Sequence, residues 1–213
     1  MVRAERRIPG FVPRHEEADE TGSFRTRRRV QILEAACRVI ARAGIAAASV
    51  DAVAAEVGVS RTLVHYYFNT REDLHRQTFE YVDERFDSYV LDRLKVGSAY
   101  ERIVRLLLAE VDGAGVVADG WVVWSEISAA AFFDDQLRAT VNKAADRWID
   151  LVAKLVAEGR KDGSVRADVR PRDAAERLTG LVDSVGNRLM LGAFPTRRAR
   201  ALIKDGVRRE LAS

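Results

Sequence analysis

Hydrophobic residues recur every three to four positions along most of the chain. That is the spacing of one face of an α-helix, and no stretch of useful length alternates as a strand would. Val30, Leu33, Cys37 and Ile40 share one face of a helix expected to start at Arg25. Gly44 is expected to end it, because glycine tolerates the left-handed C-terminal conformation. Ser49 is placed to cap a second helix whose inner side is Val50, Val53, Ala54 and Val57, with Gly58 as its stop. Ser60 caps a third, with Leu63, Val64 and Tyr67 inward. Thr70-Arg71-Glu72-Asp73 has the pattern of a capping box, and Leu74, Tyr81, Val82, Phe86, Tyr89 and Val90 carry the helix that follows to about Leu94.

The rest of the chain repeats the period. Ile103, Leu106, Leu107 and Val111 mark one helix, and Trp121, Trp124, Ile127 and Ala131 another. Leu137, Val141, Ala144, Trp148, Leu151 and Leu155 mark a third, expected to end near Gly159 before a turn at Lys161-Asp162-Gly163. Pro171 suits the first turn of the next helix, and Pro195 opens the last, Ala199 to Leu211. Residues 1–24 mix charges with Pro9, Gly10, Pro13 and Gly22 and read as a mobile tail. The fold class expected is all-α. A three-helix head over 25–70 is joined by a long helix to a helical bundle within 71–213.

Two short helices joined at Gly58 make a helix-turn-helix, in which the helices cross at roughly 90–120°. The crossing needs a small residue at Ala54, and the turn needs the positive φ that Gly58 supplies at low steric cost. The polar side of the second helix then carries Arg61, Thr62, His65 and Tyr66, side chains with the reach to read a major groove. A helical hairpin that merely packs is the alternative.

Composition narrows the class. The chain has 213 residues, 47% of them hydrophobic, and a formal charge of +3. Its single cysteine, Cys37, precludes an internal disulfide and reads as a small buried hydrophobe, which fits a reducing cytoplasm. No apolar run approaches the roughly 20 residues of a membrane span, and the N-terminus lacks a signal-peptide core. Three histidines and one cysteine offer no metal spacing, no phosphate loop or dinucleotide fingerprint appears, and no nucleophile–base pair suggests an enzyme. No cofactor is expected. Between Thr21 and Thr70, seven arginines face three acids, an imbalance that favours a polyanion. Arg27 and Arg28 are candidates for phosphate or minor-groove contact, with a solvated tail as the alternative. Arg71 is a candidate for a phosphate at a helix N-terminus.

The segments "ILEAACRVIARAG", "VDAVAAEVGVSRTLVHYYF" and "NTREDL" resemble the TetR family of bacterial regulators over roughly residues 25–90. The resemblance implies a homodimer on a double-stranded DNA operator and a C-terminal domain for a small-molecule effector. The implied DNA-contacting set is Arg27, Arg28, Ser60, Arg61, Thr62, His65, Tyr66, Tyr67, Asn69, Thr70 and Arg71. Family members often carry Gly or Ala where Thr62 stands, Tyr where His65 stands and Lys where Arg71 stands. The first two departures bear on base preference, and the third keeps the charge.

For the C-terminal region two jobs are expected. Leu178, Leu181, Val182, Val185 and Leu189, with Leu202 beside them, form an apolar face for dimerisation; burial within one subunit is the alternative. Trp121, Trp124, Phe132, Phe133 and Trp148 are candidates to line an effector pocket, as aromatic rings often do. Asp119, Glu126, Asp183 and Asn187 are candidate polar groups, and Glu126 among Trp rings would suit a cationic ligand. Ordinary core packing is the competing account of the aromatics. The function expected is a cytoplasmic repressor released from a palindromic operator by a small molecule; a DNA-binding regulator without such an effector is the alternative.

Overall fold

In the computed structural model, which describes residues 20–91, 94–111 and 116–212, the chain is all-helical among the described residues. Nine α-helices follow in order: α1 Glu20–Ala43, α2 Val50–Val57, α3 Arg61–Tyr67, α4 Arg71–Leu91, α5 Ala99–Ala109, α6 Val116–Ala130, α7 Asp135–Asp162, α8 Pro171–Met190 and α9 Thr196–Leu211. A short 3-10 turn, Ile45–Ala47, lies between α1 and α2. The first helix begins five residues before Arg25, so residues 20–24 are helical and not tail. The rest of the proposed tail, 1–19, lies outside the described residues. The fourth helix is described as far as Leu91, and residues 92–93, next to its expected end near Leu94, lie outside the described residues.

The helix ends follow local chemistry. Ser49 Oγ accepts from Ala52 N at 3.1 Å and Ser60 Oγ from Leu63 N at 3.2 Å. Each satisfies one of the donors a helix N-terminus leaves open. Gly58 closes α2 in the left-handed region, φ 72°, as the turn demands. Thr70 Oγ1 accepts from Asp73 N, but the Asp73 carboxylate reaches back to Asn69 N and not to Thr70, a capping box shifted by one residue. The long α7 runs through Gly159. That glycine is needed for close packing: a Cβ there would stand 2.4 Å from Val165 Cγ2. Lys161 and Asp162 are the last helical residues, and Gly163, φ 78°, is the actual stop.

Two apolar clusters hold the chain together. One gathers Ile32, Leu33, Ile40, Val53, Ala54, Val64, Phe68, Leu74 and Phe79 from α1–α4, and it continues into Val123 and Ile127 of α6 and Leu137 of α7. The other joins α5 and α7–α9 through Leu106, Leu107, Leu155, Val156, Leu178, Ile203 and Val207. Trp124 packs against both. The head is therefore not an isolated unit: α4 and α6 give side chains to its core and, further along, to the wall of a cavity below it.

Candidate nucleic-acid interface and effector cavity

Burial of Val64 on α3, and of Phe68 directly after it, turns the opposite side of the helix outward. Arg61, Thr62, His65 and Tyr66 are all exposed, Tyr66 by 60%. Arg61 is held along the helix, its Nη1 3.3 Å from Asp51 Oδ2 and its Nε donating to His65 Nε2 at 3.4 Å. The Arg25 guanidinium stands 5.9 Å over the Tyr66 ring, bringing a cation from α1 to this face. The sequence marks Arg25 as a helix start and one of seven arginines, because nothing in one helix shows that it meets the aromatic ring of another. Arg27, Asn69 and Thr70 are exposed at the edges of the face, and Arg28 donates to Gln31 Oε1 at 2.9 Å.

Three of the expected DNA contacts are otherwise engaged. Ser60 uses its hydroxyl as the α3 cap. Tyr67 is half-buried against the head core. Arg71 turns back to donate to the carbonyls of Ile45 at 3.1 Å and Ala46 at 2.8 Å, so it fastens the 3-10 turn in place of presenting a charge outward. His75 Nε2 lies 2.8 Å from Ala48 O, and burial in that position pushes its pKa down.

Below the head, α1, α4, α5, α6, α7 and α8 enclose a cavity of about 750 Å³. Trp121, Trp124 and Trp148 line it as expected, joined by Tyr81, Phe86 and Tyr89 of α4. Phe79 stacks against Trp124 with centroids 5.1 Å apart, and Phe86 against Trp148 at 5.7 Å. Acidic groups of the wall include Asp119 and Asp183, as expected, with Glu34, Asp83, Asp87 and Glu110. Several have partners. Arg147 pairs with Asp83 and stands 3.8 Å from Asp87. Arg85 lies 3.6 Å from Glu34, which also accepts from Tyr81 Oη at 3.0 Å.

Glu110 and Asp183 have no cationic partner among the described residues. Burial first, then the nearby Asp183 and Asp87 charges, push the Glu110 carboxyl up to about 8. Water reaches Asp183, but the surrounding wall removes enough bulk solvent to lift it to about 6. Trp121 ties the two helices that carry them: its Nε1 donates to Glu110 O at 2.6 Å, and its ring lies on the α8 backbone at Gly186. Any Cβ at Gly186 would sit 2.4 Å from Trp121 Cζ2. Glu110 escaped the sequence reading, although a single carboxylate directly after the apolar run Leu106 to Ala109 was a usable signal. Cys37, expected in the core, is half-buried on the cavity wall, where burial pushes its thiol up to about 12 and disfavours the thiolate.

Other expected ligand residues lie elsewhere. Phe132 and Phe133 are exposed, by 79% and 93%, in the turn after α6. Asn187 is exposed on α8 away from the cavity. Glu126 leaves the cavity too: its Oε2 accepts from Ile45 N at 2.8 Å, fastening α6 to the 3-10 turn. Of the expected dimer face, Leu178, Val182 and Val185 are buried within the single chain, since that side of α8 faces its own cavity wall and core. Leu181, Leu189 and Leu202 are half-buried, and Leu181 Cδ2 fills the space that a side chain at Gly206 would need. Among the described residues no group of three metal-ligating side chains assembles, and no helix is long and apolar enough to cross a membrane.

A polar reading helix on a compact head, carried by long helices that also wall a cavity, defines a DNA-binding transcriptional regulator. Residues 32–78 match the model of bacterial regulatory proteins of the tetR family, and residues 99–212 match the C-terminal model of the BetI-type transcriptional repressor. The chain belongs to the TetR family. It is 25% identical over 181 residues to the HTH-type transcriptional regulator BetI of Escherichia coli strain K12, covering 82% of this chain and 88% of that protein. A TetR-family regulator from Rhodococcus sp. has a similar structure, with a TM-score of 0.81, 26% identity and coverage of 88% of this chain and 100% of that one. A transcriptional regulator from Saccharomonospora viridis, solved in complex with choline, has a TM-score of 0.81 and 27% identity, over 87% of this chain and 98% of that one.

Proposed function

We propose that this chain is a homodimeric repressor of the cytoplasm that leaves a palindromic operator when a small organic cation enters the cavity. The observation that carries the reading is the wall itself. Six aromatic rings and an excess of carboxylates over basic groups surround one space, and a cation over aromatic faces gains about 0.5–2 kcal/mol beyond its Coulomb attraction. The choline held by the Saccharomonospora viridis protein supports the same class of ligand. Arg61, Thr62, His65 and Tyr66 read base edges, with Arg25 and Arg27 beside them on the backbone. In a two-fold dimer the two α3 helices reach half-sites about 34–36 Å apart.

Release requires that the ligand bind the two forms unequally. α6 has the contacts to sense the difference: Trp121 and Trp124 touch the cavity, and Glu126 holds the turn that precedes α2. Coupling of about 1–3 kcal/mol changes operator affinity roughly 5–150-fold. Mobility shifts with genomic fragments flanking the gene, with and without choline, test the reading. One fragment retained tightly and released by the cation is the expected result. Equal, weak retention of all fragments rejects the regulator, and tight retention indifferent to organic cations rejects the effector.

A further inference from the structure

The cavity wall carries more carboxylates than basic side chains. Glu110 at the end of α5 and Asp183 on α8 both line it, near enough for the Asp183 charge to act on Glu110. Trp121 bridges them, bonded to the Glu110 carbonyl and pressed on α8 one helical turn from Asp183. On α4, Asp87 adds a third carboxylate, and Asp83 engages Arg147 of α7. Lys154 and Asp150 of α7, Asp119 of α6, and Glu34, Arg38 and Arg85 of α1 and α4 complete the charged wall; Arg147 pairs with Asp83 and Asp87, Arg85 with Glu34 and Arg38 with Glu56. Thr179 of α8 lines the same wall, and its buried hydroxyl has no hydrogen-bond partner among the described residues.

We propose that Glu110 and Asp183 hold the cationic centre of the effector against the Trp121 indole, and that the pair gives up a proton to solvent as the cation enters. The inference rests on the organic-cation reading above. Two neighbouring carboxylates with no cation between them cannot both ionise cheaply in a partly dry wall. Burial raises the Glu110 carboxyl to about 8 and Asp183 to about 6, and the nearby Asp183 charge adds to the Glu110 shift, so Glu110 is the group that holds a proton near neutrality. A fixed positive charge reverses the balance, so the carboxylate forms are favoured and the proton leaves. The regulator then reports the cation more sensitively in alkaline than in acidic surroundings.

The test is calorimetric titration of the full chain with choline at several pH values, in buffers of different ionisation enthalpy. Choline has no ammonium proton, so any proton counted comes from the protein. The expected result is release of up to one proton near neutral pH and a Kd that tightens by up to about ten-fold per pH unit as pH rises through that range. Glu110→Gln and Asp183→Asn are expected to weaken choline binding at alkaline pH and flatten this dependence, while retaining operator binding as proof of folding. The neutral dimethylbutanol isostere of choline is expected to bind weakly and release no proton. Tight binding with no proton release and no pH dependence overturns the inference and leaves the cation reading standing. Failure of choline to bind a chain that still holds its operator removes both.

Discussion

Glu126 and Ile45 meet across the boundary between cavity and reading head, the carboxylate of α6 accepting the backbone N–H of the 3-10 turn at 2.8 Å. Gly44, at φ +82°, keeps the approach open, since a Cβ there would lie 3.0 Å from Glu126 Oε2. From the other side Arg71 of α4 grips the carbonyls of the same turn. The turn leads directly into α2, so its position sets that of the helix-turn-helix. Glu126→Ala frees the N–H and cuts the link to α6. The expected outcome is an unchanged Kd for the effector with operator release reduced several-fold, measured by titrating the operator complex with effector. Glu126→Gln keeps an acceptor and is expected to keep most of the response. Loss of effector affinity in Glu126→Ala would instead place this residue in the ligand site.

Thr62, His65 and Tyr66 are exposed and stand outside the buried head core, although Tyr66 meets the Tyr67 ring edge-on at 5.1 Å. Alanine at each is expected to leave the melting temperature within a degree or two and to cost about 1–3 kcal/mol of operator affinity where the side chain reads a base. Arg71→Ala is expected to do the reverse of a phosphate contact. It loosens the 3-10 turn and lowers stability, while the slope of log affinity against log salt, which counts neutralised phosphates, stays as in the parent. Thermal melts and a salt series of operator titrations separate the two cases.

The head was legible in the chain because its signals are local. Ser49, Gly58 and Ser60 act within one turn of themselves, and Val53, Ala54 and Val64 have only one way to face inward. The cavity was half legible. Trp121, Trp124, Trp148 and Asp183 were found from residue type, but Glu110, Phe86 and Tyr89 depend on how α4, α5 and α8 are arranged around one space, which periodicity does not encode. The bonds of Glu126 and Arg71 are hidden from the sequence for the same reason. Their partners are backbone groups of a three-residue turn 81 and 26 positions away. On α8, apolar spacing showed that Leu178, Val182 and Val185 are covered, and it was silent on whether the cover is the same chain or another.

Trp121 has no room to move toward α8. Gly186→Ala sets a methyl 2.4 Å from Cζ2 and 2.6 Å from Cη2, both in a rigid ring that cannot yield as a flexible side chain does. Overpacking of this kind costs about 1–3 kcal/mol. The indole must retreat into the cavity, at the expense of its bond to the Glu110 carbonyl. The expected result is a lower melting temperature and weakened effector binding together. Trp121→Phe in the same chain removes the offending ring atoms and is expected to recover stability but not effector affinity, as read by melts and titration calorimetry.

Glu110 also makes a prediction about the empty protein. Its carboxyl is pushed from 4.5 to about 8 in the folded chain, so between those values the folded state holds a proton that the unfolded chain has released. Stability contributed by that proton is complete below about pH 4.5 and is lost as pH rises toward 8. His75 works in the opposite sense, because its lowered pKa makes the folded state bind fewer protons as pH falls through 6.5. The clean measurement is therefore a difference. Glu110→Gln cannot ionise, so its melting temperature relative to the parent is expected to rise steadily from about pH 4.5 to about pH 8 and to level off above. Saturating organic cation stabilises the ionised carboxylate of the parent and is expected to shrink the gap at high pH. A difference that stays flat across the range would mean that Glu110 is as well solvated in the folded chain as in the unfolded one.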